Sequence, residues 1–344
     1  MLNFNKNGVV FIAIVAIFLA IRLFGIGHIY HQDEYRWATI VNPEFNLFNE
    51  SPHPPLTKYF LFAAGHVFGF DYLRIIPLLF SFLNLILIYL VVRKLTGKSE
   101  AGLIGAGLFA INIYSAIASL QIDIDGALLP FFILLGYHSY LYLIEDLKSK
   151  RHWFLFSLSL AGGFLTKLSY LLFPATLIIY FIWIDLAKGG KSINLKKFLY
   201  FLIPTLFLAG AFYLLYAVKF GFIIKYAQSF NVLNFQLRKY FDLVFKIFKS
   251  LVWLSPLLFW PLLAGLFNKA VIKKYGFWYL YILINLLFYG VAFDFTTKTI
   301  ERYFMFLIAP TIIIISSILY NIFALFLKFK WTHLAAALLL FLKW

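Results

Sequence analysis

The residues best suited to chemistry in this sequence are two adjacent carboxylates that follow its first apolar run. Asp33 lies a few residues after that run, where a carboxylate can act as a general base towards a substrate hydroxyl. Glu34 is its neighbour, and adjacent side chains on a helix diverge by about 100°. We therefore expect one of them to do chemistry and the other to support it. The alternative is that Asp33 is an ordinary solvated loop acid.

A histidine and a lysine flank a proline pair farther along the same polar segment. Pro54 and Pro55 restrict the backbone and predict a helix that starts around Leu56. His53 and Lys58 then lie near the N-terminus of this helix, where free N–H groups favour an anion. A simple kink in the loop would explain the prolines but not the charges beside them.

Three more ionisable residues interrupt or border apolar runs. Asp125 lies in a very short connection, where it either faces a wet cavity or caps the next helix. Lys167 either binds an anion or extends to lipid headgroups. Arg302 could grip a phosphate through two parallel hydrogen bonds, or form a surface ion pair with Glu301.

The joint placement of these groups favours one reaction. A carboxylate beside an acceptor hydroxyl, facing cations around a leaving phosphate, is what glycosyl transfer from a lipid phosphate requires. A metal site is the competing interpretation, because imidazole and carboxylate groups are good ligands. The histidines concerned are His28, His31, His53 and His66. Their spacing fits no compact ligand motif, so we predict no certain cofactor and keep a divalent metal as an alternative.

The composition indicates which kind of scaffold must position these residues. Of the 344 residues, 63% are hydrophobic and 13% are charged, which is too apolar for a soluble globular protein. The net charge of +16 comes from short Lys and Arg clusters between apolar runs, so we expect no nucleic-acid partner. The absence of cysteine excludes disulfides, thiolate metal sites and cysteine nucleophiles. We predict an all-α, multi-pass membrane protein embedded in a lipid bilayer.

A helix needs about 20 apolar residues to cross the hydrocarbon core of a bilayer. This criterion predicts about eleven spans. They are 8–26, 72–93, 101–120, 127–144, 153–166, 168–186, 198–217, 250–267, 276–293, 303–326 and 332–344.

The loops between these spans differ in charge. Alternate loops are rich in Lys and Arg, and most carboxylates occupy the opposite loops. Because Lys and Arg accumulate in short cytoplasmic loops, the N-terminus is expected inside and the site outside, in a prokaryotic cytoplasmic membrane.

Two outer segments exceed the length of a turn. Segment 27–71 carries the first carboxylates, and segment 218–249 has apolar residues at helical spacing among lysines, which is typical of a helix in the headgroup plane. A helix packed against the protein's own spans fits the second pattern equally well. We expect residues 1–344 to form a single transmembrane domain without a separate soluble domain.

Several of these motifs resemble one known group of enzymes. Asp33-Glu34 and the run His-Pro-Pro-Leu-Thr-Lys at 53–58 resemble motifs of the protein O-mannosyltransferase and lipid A aminoarabinose transferase branch of the GT-C glycosyltransferases. Asp125, Phe164-Leu165-Thr166-Lys167 and Arg302-Tyr303 also fall where this family has its second acidic and phosphate-contacting positions. The resemblance covers about residues 8–310.

The resemblance implies a GT-C membrane fold with an extracytoplasmic site, a polyprenyl-phosphate sugar donor and a protein, lipid or glycan acceptor. It implies inverting transfer with Asp33 as the general base and Glu34 in support of the loop or the acceptor. The remaining residues would bind substrate: His53, Lys58, Asp125, Lys167, Arg302 and Tyr303.

A polytopic transporter or lipid flippase is the alternative function, since charges near spans also mark transport paths. The sequence shows no matching pair of Gly- or Pro-broken spans in two halves, and its acids collect on one face rather than at the midplane. These two features favour the transferase.

Overall fold

The computed structural model describes residues 6–47, 54–187, 203–208, 210–211, 214, 256–292 and 300–328. Regular structure within these ranges is helical throughout, which confirms the predicted all-α membrane fold. The α-helices are α1 (Lys6–Leu23), α2 (Gln32–Val41), α3 (Leu56–Phe68), α4 (Ile75–Thr96), α5 (Ser99–Ile111), α6 (Ile113–Leu120), α7 (Leu129–Leu143), α8 (Lys150–Thr166), α9 (Leu172–Ala187), α10 (Pro256–Leu266), α11 (Lys269–Ala292) and α12 (Ile308–Lys328).

Short helical segments of other types join some of these helices. Three of them are 3-10 helices, at Phe70–Tyr72, Leu168–Leu171 and Ile300–Leu307, and Ile124–Leu128 forms a π-helical turn. Two of these segments, the π-turn and Ile300–Leu307, lie against each other. Of the predicted functional residues, Asp125 lies in the π-turn and Arg302 and Tyr303 lie in Ile300–Leu307, so this part of the site is outside regular α-helical geometry.

Five helical segments within the described ranges are long and apolar enough to cross a bilayer. They are Lys6–Leu23, Phe70–Thr96, Ile124–Leu143, Lys269–Tyr289 and Phe304–Ala324. The bent pair α5 and α6 brings the number to six if it counts as one span. Leu168–Trp183 is a shorter apolar helix. The chain is therefore a multi-pass integral membrane protein. The predicted span 332–344, most of 198–217 and the predicted helix in 218–249 lie outside the described residues.

The predicted span 101–120 is not one straight helix. It breaks at Asn112 into α5 and α6, whose axes differ by 65°. The Asn112 side chain accepts a hydrogen bond from the backbone N–H of Ser115 at 2.9 Å, which starts α6 as a separate helix. Sequence patterning did not predict this break, because the apolar run continues through it.

The span Ile124–Leu143 lies at the centre of the helix bundle. In its most apolar stretch 83% of the residues are buried, against 11% in Lys6–Leu23 at the periphery. Small residues allow close helix packing nearby: a Cβ added at Gly105 of α5 would lie 3.3 Å from Ser316 of α12. The π-turn that opens the central span contacts α4, α6 and the 3-10 helix Ile300–Leu307.

Candidate active site

Helix α2 presents the first pair of carboxylates. Glu34 lies in the first turn, where its Oε2 accepts the backbone N–H of His31 at 2.9 Å and so caps the helix. Glu34 is 3% exposed, whereas Asp33 is half-buried. The two side chains therefore occupy different environments, as expected for neighbours on a helix.

Glu34 is anchored by an arginine from the start of α4. Its Oε1 accepts a hydrogen bond from Arg74 Nε at 2.9 Å, and its Oε2 accepts one from Arg74 Nη2 at 2.6 Å. Oε1 also accepts the backbone N–H of Ile122 at 3.0 Å. Four hydrogen bonds thus reach this carboxylate and fix its orientation.

The same arginine organises the loop before α2. Arg74 Nη1 donates to the carbonyls of Gly25 and His28, and Nη2 also donates to Ile29. The guanidinium carbon lies 5.3 Å from the ring centre of Tyr30. Sequence reasoning missed Arg74, which lies inside the predicted span 72–93. A lone arginine at the edge of an apolar run was the available signal.

The surroundings of Glu34 stabilise its ionised form. Burial alone would raise the pKa of this carboxyl. The Arg74 guanidinium and the N–H groups of His31 and Ile122 outweigh burial, so the pKa lies below its ordinary value. Glu34 is consequently ionised at neutral pH, and the pair with Arg74 is a true ion pair.

The second carboxylate, Asp125, lies in the π-turn and is 3% exposed. Asp123 caps this turn, because its Oδ1 accepts the backbone N–H of Ile124 at 2.6 Å. Asp125 instead forms an ion pair with Lys167, which is itself 5% exposed. Asp125 therefore does not cap the next helix, and Lys167 does not extend to the lipid headgroups.

Close packing and one side-chain hydrogen bond hold the π-turn in place. A Cβ added at Gly126 would lie 2.9 Å from the Cβ of Ala118, so α6 can approach the turn only because this residue is glycine. Asn84 Nδ2 donates to the carbonyl of Ala127 at 2.8 Å. Single π-turns of this kind often occur at functional sites.

The 3-10 helix Ile300–Leu307, which includes Arg302 and Tyr303, packs against the π-turn and against α6 and α7. The side chains of Arg302 and Tyr303 lie outside the described part of the structure. Tyr289 connects this helix to the ion pair: its ring centre lies 5.6 Å from that of Phe304 and 5.8 Å from Lys167 Nζ.

The predicted helix at Leu56 exists as α3 and packs against α2 and α8. Lys58 lies on its buried face and is 4% exposed, and Thr57 beside it is 1% exposed. His53 lies outside the described residues. Within the described ranges, no three His, Asp or Glu side chains are arranged to hold a metal ion.

Hydrogen bonds and ion pairs connect the chain segments that carry Glu34, Asp125 and Lys167. The N–H of Ile122 joins α2 to the loop before the π-turn, and Asp125 joins the π-turn to Lys167 at the end of α8. The helix that carries Arg302 covers the same turn. Two buried carboxylates, each paired with a buried cation, therefore lie in segments that contact each other.

Comparisons with known proteins concern the family and the fold of this chain. Residues 52–216 match the model of the family described as dolichyl-phosphate-mannose-protein mannosyltransferase. No curated protein sequence matches the chain significantly.

Two solved structures have a similar fold. One is ArnT from Cupriavidus metallidurans bound to undecaprenyl phosphate, with a TM-score of 0.61 and 17% identity over 92% of this chain and 60% of ArnT. The other is the oligosaccharyltransferase AglB from Archaeoglobus fulgidus in complex with an inhibitory peptide and a dolichol-phosphate, with a TM-score of 0.65 and 13% identity over 98% of this chain and 54% of AglB.

This chain spans between half and two thirds of the length of these two proteins. At these identities the likeness establishes the fold, and it confirms the resemblance predicted from the motifs. The chain therefore has the membrane fold of the GT-C glycosyltransferases, and its residues 52–216 match the protein mannosyltransferase family model.

Proposed function

We propose that this chain transfers a sugar from a polyprenyl-phosphate-linked donor to an acceptor hydroxyl on a protein, lipid or glycan, with inversion at the anomeric carbon. The family match and the GT-C fold support glycosyl transfer. The lipid phosphates bound to ArnT and AglB support a lipid-phosphate donor. The chain's own charged residues support the same chemistry.

Asp33 is the proposed general base. Its carboxylate takes the proton of the acceptor hydroxyl while the oxygen attacks the anomeric carbon, and the bond from that carbon to the phosphate oxygen breaks. Asp33 lies in the first turn of α2, and Glu34 next to it is fixed by four hydrogen bonds. This anchor limits the movement of Asp33 relative to the substrate.

Lys167 and Arg302 are proposed to stabilise the departing lipid phosphate. Lys167 is buried, so its charge acts in a medium of lower dielectric than water and interacts more strongly with an anion. Asp125 fixes the ammonium group in place. Arg302 and Tyr303 belong to the 3-10 helix that packs against the π-turn, and His53 and Lys58 are proposed to complete the substrate-binding set.

The observation that carries the proposal is the hydrogen bond from Ile122 N–H to Glu34. It connects the helix of the proposed base with the loop that leads into Asp125. This hydrogen bond joins Glu34 and Ile122, which are about ninety positions apart in the sequence. A transfer site with a base from one segment and phosphate-binding groups from another requires such a long-range contact.

The site is proposed to lie at the extracytoplasmic face of a prokaryotic cytoplasmic membrane. Helix α4 extends from the Arg74–Glu34 pair at one end to the Lys94–Glu145 pair at the other. The second end carries the basic loops, which are expected in the cytoplasm.

The proposal is tested by transfer from a radiolabelled polyprenyl-phosphate sugar to membrane acceptors. Asp33→Asn is expected to lower turnover by about 10²–10⁴-fold, the usual contribution of a general base. Asp71→Asn is the matched control, because Asp71 is an exposed acid on the same face. Equal turnover in the Asp33→Asn variant and the wild type would remove Asp33 as base. Movement of a solute across liposomes without cleavage of a glycosyl bond would favour a transporter or flippase.

A further inference from the structure

A buried arginine near the end of α1 takes no part in the site described above. Arg22 lies in the first membrane span and is 0% exposed. All five of its N–H groups donate hydrogen bonds. The acceptors are Ser119 Oγ, Ser115 Oγ and the carbonyls of Phe18, Ala110 and Phe109, at 2.7 to 3.3 Å.

Two of these acceptors belong to the end of α5. Helix α5 stops at Ile111, so the carbonyls of Phe109 and Ala110 lack the partners that a continuous helix would provide. Arg22 supplies those partners at 3.3 and 2.8 Å. A positive charge at the C-terminus of a helix also interacts favourably with the helix dipole.

The other side of the guanidinium contacts α6, beyond the break. Nη2 donates to Ser115 Oγ at 2.7 Å, and Nε donates to Ser119 Oγ at 2.9 Å. Ser119 Oγ lies 2.6 Å from Ser81 Oγ on α4, which fixes the end of α6 to the bundle. Arg22 therefore holds the two halves of the broken span at their 65° angle.

The position of α6 determines where the next residues lie. The helix ends at Leu120, and the N–H of Ile122 binds Glu34 immediately afterwards. Asp125 follows in the π-turn that packs against Ala118 of α6. A rotation of α6 would consequently move both the Glu34 contact and the turn that carries Asp125.

We infer that Arg22 is a positioning residue that maintains the angle between α5 and α6 at Asn112. In this way it fixes the loop between α6 and the π-turn against α2. The catalytic consequence of this inference rests on the proposed function. Without Arg22, the carbonyl of Ala110 would lose this partner and that of Phe109 would keep the Ser115 hydroxyl, so the break would lose a force that opposes continuation of the helix into Ile113 and Tyr114. A straighter helix would draw Ile122 away from Glu34.

The geometry can be tested with spin labels, because the sequence contains no cysteine. Tyr35 on α2 and Ile117 on α6 are 61% and 44% exposed, so both positions can be changed to cysteine and labelled. The distance between the labels is measured by pulsed electron resonance. Arg22→Met is expected to shift or broaden this distance, and Arg22→Lys, with three donors instead of five, to give an intermediate change.

Arg93→Met is the matched control, since Arg93 is exposed at the opposite end of α4. It should leave the label distance and the turnover unchanged. Turnover of the Arg22→Met protein should fall by about 100-fold, the effect expected of a displacement of about 1 Å at a reacting group. If Arg22→Met does not fold, the label distance and the turnover are measured in Arg22→Lys instead.

An unchanged label distance in a folded Arg22 variant would overturn the inference, whatever the activity. The distance measurement needs no substrate, so its outcome is independent of the proposed function. A shifted distance in a protein that never transfers a sugar would support the positioning role and refute the proposed function instead.

Discussion

The buried pair of Glu34 and Arg74 gives a quantitative test of how the site is held together. Glu34 is 3% exposed and Arg74 is 7% exposed, so removal of either partner leaves a buried charge without its counterion. Such a loss typically costs about 3–5 kcal/mol of folding free energy. Glu34→Gln keeps the shape of the side chain but places an amide N–H₂ opposite donors of Arg74 or the backbone, which adds repulsion to the loss of charge.

The test is a double-mutant cycle with Glu34→Gln, Arg74→Gln and the double variant. Each single change should lower the free energy of unfolding by about 3–5 kcal/mol. The double variant should lose less than the sum of the two, with a coupling energy of about 2–3 kcal/mol, because the second change removes the charge that the first left unpaired. Reversible unfolding in mild detergent, followed by the fluorescence of the 8 tryptophans, measures these values.

The chain contains a matched control for this cycle. Lys94 and Glu145 form an ion pair at 2.5 Å, but their side chains are 23% and 61% exposed. A pair of this kind contributes about 0.2–1 kcal/mol. If Glu34→Gln costs no more than Glu145→Gln, or if the two changes in the buried pair are simply additive, the interpretation of Glu34 as the anchor of α2 is wrong.

Two further outcomes follow from the same region. The lowered pKa of Glu34 contributes stability that is complete above the ordinary Glu pKa of about 4.3 and is lost as the pH falls through the lower folded-state value. Wild type should therefore lose more stability than Glu34→Gln between pH 5 and strongly acidic pH, and parallel unfolding curves would contradict this. Lys167→Ala or Arg302→Ala should weaken binding of undecaprenyl phosphate by about tenfold or more, since a hydrogen bond to a charged group contributes about 1.5–3 kcal/mol. Lys94→Ala is the control, and unchanged affinity in both site variants would argue against a phosphate site.

The sequence by itself determined the kind of molecule and part of its local structure. A bilayer core demands about 20 apolar residues for each crossing, so the apolar runs predicted the spans at 8–26, 72–93 and 303–326. The proline pair predicted the start of α3, and the different environments of Asp33 and Glu34 followed from helix geometry. These features depend on residues close together in the chain.

Only the tertiary structure decided which distant groups meet. Arg74 was part of an apolar run in the sequence, and its role appears only when folding brings it to Glu34, 40 positions away. The ion pair between Asp125 and Lys167 also joins residues that are distant in the sequence. The same is true of the hydrogen bonds from Arg22 to the helices on either side of Asn112. The local sequence pattern shows how each segment presents apolar side chains to lipid and forms its own backbone hydrogen bonds. Packing between segments decides which group pairs with a buried charge. Any nearby group with suitable geometry can offset the free-energy cost of burying that charge.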